Sequence, residues 1–146
     1  MGALKGSLES LLISYQYEAS KKTLVVVLDY PDKAAESDRA FLRLRFMDVS
    51  EFHRVPGTFA DLQRFKESYS TRETPASTVV QQIDIEKKAN SLRIALSFGS
   101  FGGLTFVCRS LSAESRSACA IKTDANTWTY RDVDDDKPVD FYDPFA

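Results

Sequence analysis

Residue types that serve as catalytic nucleophiles, bases and metal ligands are scarce in this sequence. Its 146 residues include one histidine, His53, and two cysteines, Cys108 and Cys119. A catalytic triad needs a nucleophile and an orienting acid around its histidine, and the residues near His53 supply neither. A structural zinc site of the Cys/His type needs four ligands, which is more than the chain contains. We therefore expect no enzyme activity, no catalytic residue, no metal site and no cofactor.

The sequence also lacks a phosphate-binding loop. Gly99, Gly102 and Gly103 lie in the stretch FGSFGG, but Leu104 stands where a P-loop requires lysine. The dinucleotide-binding fingerprint needs a helix after its glycines, whereas a strand pattern follows here. The glycines are typical of a hairpin turn that uses positive φ angles. Phe101, at the tip of that turn, is a candidate contact residue.

Long hydrophobic runs are absent as well. The apolar run LVVVL at residues 24–28 is far shorter than the ~20 residues of a transmembrane helix. The opening stretch MGALKGSLESLL has no apolar core of the ~7–15 residues found in secretory signals. We expect the protein to be cytoplasmic, and cysteines stay reduced in the cytoplasm. Cys108 is then interpreted as a small buried apolar residue, and whether it pairs with Cys119 stays open.

An excess of positive charge is missing too. The formal net charge is −2, so the sequence lacks the basic surface that general nucleic-acid binding requires. The charge is unevenly distributed, since residues 132–146 hold six Asp and one Lys, a net −5, whereas residues 1–131 carry a net +3. This distribution divides the chain into a single β-rich domain over residues 1–131 and an acidic, aromatic C-terminal arm over residues 132–146.

Alternation of apolar and polar residues predicts most of the secondary structure. It begins at Leu11, and residues 23–30, TLVVVLDY, predict a central strand. Further strands are predicted around residues 42–46, around residues 79–85, and as a hairpin within residues 91–111. Short additional strands are candidates at residues 118–122 and 127–131. The sequence therefore predicts an α+β, mainly β fold, with an antiparallel sheet or sandwich of about six strands.

One helix is predicted near residues 59–68, packed against one face of the sheet. Thr58 and Asp61 have the spacing of a capping box. Apolar residues follow at helical spacing, namely Phe59, Leu62, Phe65 and Tyr69.

The hairpin at residues 91–111, SLRIALSFGSFGGLTFVCRSL, has the clearest pattern in the chain. Two runs of alternating apolar residues flank its Gly/Ser turn, which is typical of a long antiparallel hairpin. Alternation places the apolar residues of the first strand on one face and those of the second strand on another. These residues are Leu92, Ile94, Leu96 and Phe98 in the first strand, and Leu104, Phe106 and Cys108 in the second.

Interleaved acidic and aromatic residues near the C-terminus are typical of a protein-binding segment, because rings provide contact area and carboxylates steer toward a basic partner. Together with Phe101, the candidate partner-binding residues are Trp128, Tyr130, Asp132, Asp134, Asp135, Asp136, Asp140, Phe141, Tyr142 and Phe145. An alternative is that the aromatic residues fold back onto the core. Some of the aspartates have EF-hand spacing, but Lys137 replaces the turn glycine and Asp143 the bidentate glutamate, so we interpret the arm as solvated and not as a calcium site.

Three stretches of the chain resemble a known family. RLRFMDVSEF at residues 43–52, VVQQIDIE at residues 79–86 and the hairpin strands resemble the small bacterial immunity proteins encoded beside polymorphic toxins, in particular the group called immunity protein 50. The resemblance covers residues 11–111. The residues that match the family's F-x-D-V-S strand end and F-x-C-R strand are Phe46, Asp48, Val49, Ser50, Phe106, Cys108 and Arg109.

This resemblance implies a non-catalytic protein that binds a cognate bacterial toxin and blocks its active site. An acidic, aromatic arm suits a toxin with a basic cleft. The expected partner is therefore a protein toxin, and we expect neither nucleic acid nor membrane as a partner. The alternative is a small-molecule-binding or enzymatic β domain of unknown chemistry, which a polar pocket with clustered, perturbed carboxylates would favour.

Overall fold

In the part of the chain that it describes, the computed structural model contains two antiparallel β-sheets and one short helix, α1 (Gly2–Lys5). The residues that it describes are 2–31, 38–57, 79–99, 102–125, 127–141 and 143–146. The fold of these residues is mainly β, as the sequence predicts. The helix predicted near residues 59–68 lies outside them. No helix in the described part of the chain is long and apolar enough to span a membrane.

Ten strands are present in the described residues, where about six are predicted from the sequence. They are β1 (Leu11–Glu18), β2 (Thr23–Pro31), β3 (Asp38–Met47), β4 (Ser50–Pro56), β5 (Gln82–Lys87), β6 (Leu92–Ser97), β7 (Gly102–Cys108), β8 (Ser110–Lys122), β9 (Trp128–Asp132) and β10 (Pro138–Val139). The larger sheet has the order β1-β2-β3-β8-β9-β10, and the smaller sheet has the order β4-β7-β6-β5. The run of apolar residues in β2 fits its position between β1 and β3.

The count of about six is too low because β4 and most of β8 lack an alternating pattern, whereas β9 corresponds to the candidate strand at residues 127–131 and β10 has only two residues. In β4 only Phe52 and Arg54 are half-buried, and the other residues are exposed. β8 consists largely of serine, alanine and charged residues. It pairs along β3 from Met47–Ser110 to Asp38–Cys119, and its other edge pairs with β9. Pairing on both sides decides its conformation, since β propensity depends strongly on tertiary context.

The two sheets pack face to face around one apolar core. Phe46 of β3 and Phe106 of β7 meet edge to face across the sandwich, with their ring centroids 4.7 Å apart. Aromatic pairs in this geometry stabilise a core beyond the area that they bury. The strands of the larger sheet contribute Leu24, Val26, Leu28, Leu42, Leu44 and Phe46, and those of the smaller sheet contribute Ile94, Leu96, Leu104, Phe106 and Cys108.

The predicted hairpin is confirmed as β6 and β7, with one correction to its faces. Its apolar residues pair directly across the strands, so both rows lie on the same buried face and not on two different faces. The pairs are Leu92–Cys108, Ile94–Phe106 and Leu96–Leu104. Gly103 follows in register opposite Ser97. A Cβ atom at Gly103 would lie 2.2 Å from the carbonyl oxygen of Leu96, so the close approach of the two backbones requires glycine here.

A second apolar cluster covers the outer face of the larger sheet, the face turned away from the smaller sheet. Its buried members are Ile13, Val27, Phe41, Ala118 and Val139. Four partly buried residues pack against it, namely Val25, Tyr130, Phe141 and Phe145. The part of the C-terminal arm that the structure describes therefore contributes apolar contacts to the larger sheet.

Candidate functional site

The acidic residues of the C-terminal arm are arranged by the turn that joins β9 to β10, which we call the acidic turn (residues 132–137). Asp132 accepts hydrogen bonds on Oδ1 from the backbone N–H groups of Asp134 at 2.7 Å and Asp135 at 3.3 Å. Its own backbone N–H donates to the carbonyl oxygen of Lys137 at 2.9 Å, and that of Asp136 donates to the carbonyl oxygen of Asp132 at 3.1 Å. An aspartate that bonds to the backbone two residues ahead stabilises a tight turn.

Two arginines hold the acidic turn in place. Arg116 of β8 donates from Nε to Asp132 Oδ2 at 2.6 Å and from Nη1 to the carbonyl oxygen of Pro144 at 2.9 Å. Arg131 of β9 donates from Nε to Asp136 Oδ1 at 2.9 Å. The hydrogen bond from Arg116, followed by that from the backbone of Asp134, lowers the pKa of Asp132 below its ordinary value. Asp132 is therefore ionised at neutral pH, and its bond with Arg116 joins the turn to β8.

Several carboxylates of the arm remain exposed to solvent. Asp134, Asp135, Asp136 and Asp140 are exposed, and Asp135 accepts a hydrogen bond from the backbone N–H of Lys137 at 2.9 Å. The side chain of Val133, which precedes Asp134, is 50% exposed. The acidic turn thus presents ordered negative charge beside an apolar side chain.

Three of the candidate contact aromatics pack against the larger sheet. Phe41 of β3 meets Tyr130 at a ring-centroid distance of 6.2 Å and Phe141 at 5.7 Å, both edge to face. The guanidinium of Arg43 lies 4.8 Å from the ring centroid of Phe145. These contacts correspond to the alternative in which the aromatic residues fold back.

The remaining candidate aromatics divide into one exposed residue and two that the structure does not describe. Trp128 is 49% exposed, and the Nζ atom of Lys122 lies 5.8 Å from the centroid of its ring. Phe101 and Tyr142 lie outside the described residues. Trp128 is therefore the described aromatic candidate with the most surface available to a partner.

Cavities on both sheets are further candidates for binding. One of about 430 Å³ lies on the outer face of the smaller sheet, where its lining includes the small residues Ala95, Ser97 and Thr105. Another of about 320 Å³ lies on the outer face of the larger sheet and is lined in part by Arg43, Arg45 and Phe145. A groove of about 840 Å³ follows β5.

Asp29 of β2 is a buried acid that the sequence analysis did not single out. It is 3% exposed, and its Oδ1 has no hydrogen-bond partner among the described residues. Burial raises its pKa to about 6, and the positive charge of Arg39 opposes this rise. The sequence signal was an aspartate that interrupts the apolar run LVVVLDY. Asp29 is not among the described residues that line the three cavities.

The cysteines do not form a disulfide. Cys108 is buried in β7, and burial raises the pKa of its thiol to about 11. A thiol with such a pKa is a poor nucleophile at neutral pH. Among the described residues, no group of three or more His, Cys, Asp or Glu side chains is placed to hold a metal ion.

Comparisons with known proteins do not identify a family for this chain. No protein-family model matches it, and no curated protein does. Among solved structures, an uncharacterized protein from Neisseria gonorrhoeae superposes on it with a TM-score of 0.45 and 13% sequence identity, over 73% of this chain and 91% of that chain. An identity and a TM-score this low carry no functional argument. The resemblance to immunity proteins therefore stays a prediction.

Proposed function

We propose that this chain is a non-catalytic immunity protein that binds and neutralises a cognate bacterial toxin in the cytoplasm. The acidic turn carries the proposal, because it presents Asp134 and Asp135 on a backbone held by Asp132. A surface that is already ordered loses little conformational freedom on binding. Exposed carboxylates steer association toward a basic surface. The partner in this proposal is a protein toxin with a basic active-site cleft, such as a nuclease.

The residues that resemble the immunity family have a structural role in this proposal. Phe46 and Phe106 pack against each other between the sheets. Val49 is 1% exposed, and Asp48 has a φ angle of 53° in the turn from β3 to β4. Buried and turn residues of this kind maintain a scaffold, whereas exposed polar residues determine which partner is bound. We therefore assign toxin recognition to the acidic turn and not to the matching residues.

The test uses the toxin encoded by the gene next to that of this protein. We expect the chain to restore growth of a bacterial host that expresses this toxin, and to bind the purified toxin in isothermal titration calorimetry. The double variant Asp134→Lys with Asp135→Asn should weaken the affinity by about tenfold or more, because it reverses the exposed charge. The asparagine keeps an oxygen that accepts the hydrogen bond from Lys137.

The matched control is the double variant Asp84→Lys with Glu86→Gln. It changes the net charge by the same amount at exposed positions of β5, and it should leave the affinity within about twofold of wild type. A wild-type chain that does not protect the host contradicts the proposal. So does a control variant that loses as much affinity as the variant of the acidic turn.

A further inference from the structure

The edge strands of the two sheets differ in their protection against pairing with another strand. An exposed edge presents unpaired backbone N–H and C=O groups, and proteins commonly interrupt such edges with bulges, prolines or very short strands. β1 has a bulge between Leu12 and Ser14. β4 has a bulge between Ser50 and His53. β10 is only two residues long. Three of the four edges in the described sheets are therefore interrupted or short.

The fourth edge, β5, has no bulge, contains no proline and is six residues long, so its protection is limited to charged side chains such as Lys87, which lies on the same face as Ile83 and Ile85. It pairs with β6 from Gln82–Ser97 to Lys87–Leu92 without a shift of register. Its other side has no strand partner among the described residues. Just before β5, the backbone of Val80 is hydrogen-bonded to Glu9 and Ser10. The open edge therefore begins after this contact and extends along β5.

A groove lined by three apolar and three charged residues lies beside this edge. It has a volume of about 840 Å³, and Leu8, Ile83 and Ile85 are among its lining residues, with Lys5, Asp84 and Lys87. Leu8 is 49% exposed, and the two isoleucines pack in part against the core of the sandwich. Successive side chains of a strand point to opposite faces of its sheet. A strand added to β5 would therefore place every second side chain in this groove.

The other face of β5 carries two carboxylates, and Glu86 lies directly opposite Arg93 of β6. Asp84 and Glu86 are exposed there, and Asp84 Oδ2 accepts a hydrogen bond from Gln82 Nε2 at 3.0 Å. Lys88 Nζ lies 3.9 Å from Glu86 Oε1. Side chains directly opposite each other on neighbouring strands attract when their charges differ and repel when they are alike. An added strand is therefore favoured when its outward-facing residues are lysine or arginine.

Charge argues against a second copy of this chain as the added strand. If β5 of one copy pairs in antiparallel orientation with β5 of a second copy, two registers align five residues of each strand and keep the isoleucines of both strands on the same face. The first places Asp84 opposite Asp84, and the second places Asp84 opposite Glu86. Both put carboxylates directly against carboxylates, which destabilises the pairing. A partner with basic outward-facing residues avoids this repulsion.

We propose that the β5 edge binds an extended segment of a partner protein in which apolar residues alternate with lysine or arginine. The segment adds a fifth strand to the smaller sheet, its apolar side chains enter the groove, and its basic side chains face Asp84 and Glu86. In such complexes, main-chain hydrogen bonds supply affinity and the alternating side chains supply specificity. The proposal does not rest on toxin binding. Val79 pairs with Leu11 of β1, whereas the acidic turn adjoins β10 at the other edge of the larger sheet.

The test uses synthetic peptides with the full chain. The probe is a fluorescein-labelled peptide of sequence KVKVKVK with blocked ends, and its depsipeptide analogue has ester linkages in place of the backbone N–H groups. A peptide of sequence EVEVEVE reverses the charge. We expect KVKVKVK to bind in fluorescence anisotropy and to shift the backbone amide NMR signals of residues 82–87. The depsipeptide should bind about tenfold more weakly or worse, because it cannot donate main-chain hydrogen bonds.

Two charge variants locate the site. Asp84→Lys with Glu86→Gln should weaken KVKVKVK binding by about tenfold and favour EVEVEVE, because it replaces one attractive cross-strand charge pair with a repulsive pair and removes the other. Asp134→Lys with Asp135→Asn should leave peptide binding within about twofold. Equal binding of the depsipeptide, equal loss in both variants, or no binding of KVKVKVK overturns the proposal. The proposal is also overturned if the backbone N–H groups of β5 that point away from β6 are protected from hydrogen exchange in the free protein. Such protection would mean that this edge is already paired, either within a monomer or between two copies in a dimer.

Discussion

Arg39 Nε lies 3.9 Å from Asp29 Oδ2 on the neighbouring strand, and this contact does not offset the burial of the carboxylate. The pKa of Asp29 is about 6 in the folded protein, against an ordinary value of 3.8. The folded state therefore binds the proton more tightly than the unfolded state between these two pH values. The contribution of Asp29 to stability is greatest when it is protonated, decreases as the pH rises from about 4 to about 6, and remains lower above that range.

Asp29→Asn should increase the free energy of unfolding at neutral pH. Two pKa units correspond to about 3 kcal/mol, which is an upper limit because Arg39 loses its charged neighbour, so we expect a gain of about 1–2 kcal/mol. Urea denaturation of both proteins at about pH 4.5 and about pH 7.5 measures the effect, and the variant should lose the decrease in stability that wild type shows over this range. The same decrease in both proteins would mean that another group titrates.

Arg116→Gln should loosen the acidic turn, since it removes the charged donor to Asp132. Amide hydrogen exchange at Asp134 and Asp135 should accelerate. Because the pKa of Asp132 is lowered in the folded protein, its ionised carboxylate stabilises the fold above the ordinary pKa, and this stabilisation is lost as the pH falls through the folded pKa. The melting temperature of the variant should therefore fall less on acidification than that of wild type. Arg45→Gln, at an exposed position of β3, is the control and should change neither measurement.

Gly103→Ala should destabilise the hairpin. The added Cβ would lie 2.2 Å from the carbonyl oxygen of Leu96, so the paired backbones must separate. We expect a loss of about 3 kcal/mol in urea denaturation, at the upper end of the usual cost of overpacking. At Gly2 the added Cβ meets no atom within 4 Å, and Gly2→Ala should cause no loss. Equal stability of the two variants would contradict the register of β6 and β7.

Phe141→Ala should destabilise the domain and not merely alter a flexible arm, because Phe141 packs on the ring of Phe41. We expect a loss of about 1–3 kcal/mol in urea denaturation, less than for a fully buried ring. Trp128→Ala is the exposed aromatic control and should cost well under half as much. An unaffected Phe141→Ala variant would mean that the arm contributes nothing to the stability of the larger sheet.

The strands that the sequence predicts are those in which the order of apolar and polar residues follows the burial of their faces. β2 lies between two strands and has apolar residues on both faces, so its run of valines is sufficient to predict it. β6 and β7 bury one face and alternate accordingly. Only the end of β8 could be predicted in the same way, because β3, its partner along most of its length, lies far away in the sequence and few of its residues are buried.

The candidate site was predictable in composition but not in arrangement. The clustered aspartates were evident, whereas their ion pairs with Arg116 and Arg131 depend on how β8, β9 and β10 fold back on one another, which the polar residues of these strands do not specify. The same limit applies to Tyr130 and Phe141, since an aromatic beside aspartates is equally compatible with a protein contact and with packing on Phe41. That β5 has a single strand partner among the described residues also depends on sheet order, which only the three-dimensional pairing reveals.

The pairing of β3 with β8 has a consequence for the order of folding. The smaller sheet is formed by one continuous stretch, residues 50–108, which lies between two neighbouring strands of the larger sheet. During synthesis, one edge of β3 has no hydrogen-bonding partner until residue 110 and those after it leave the ribosome. The smaller sheet can assemble earlier, because its contacts are closer in sequence. Such high contact order slows closure of the larger sheet and exposes its edge to aggregation. Nascent chains that stop before β8 should therefore be the most dependent on chaperones.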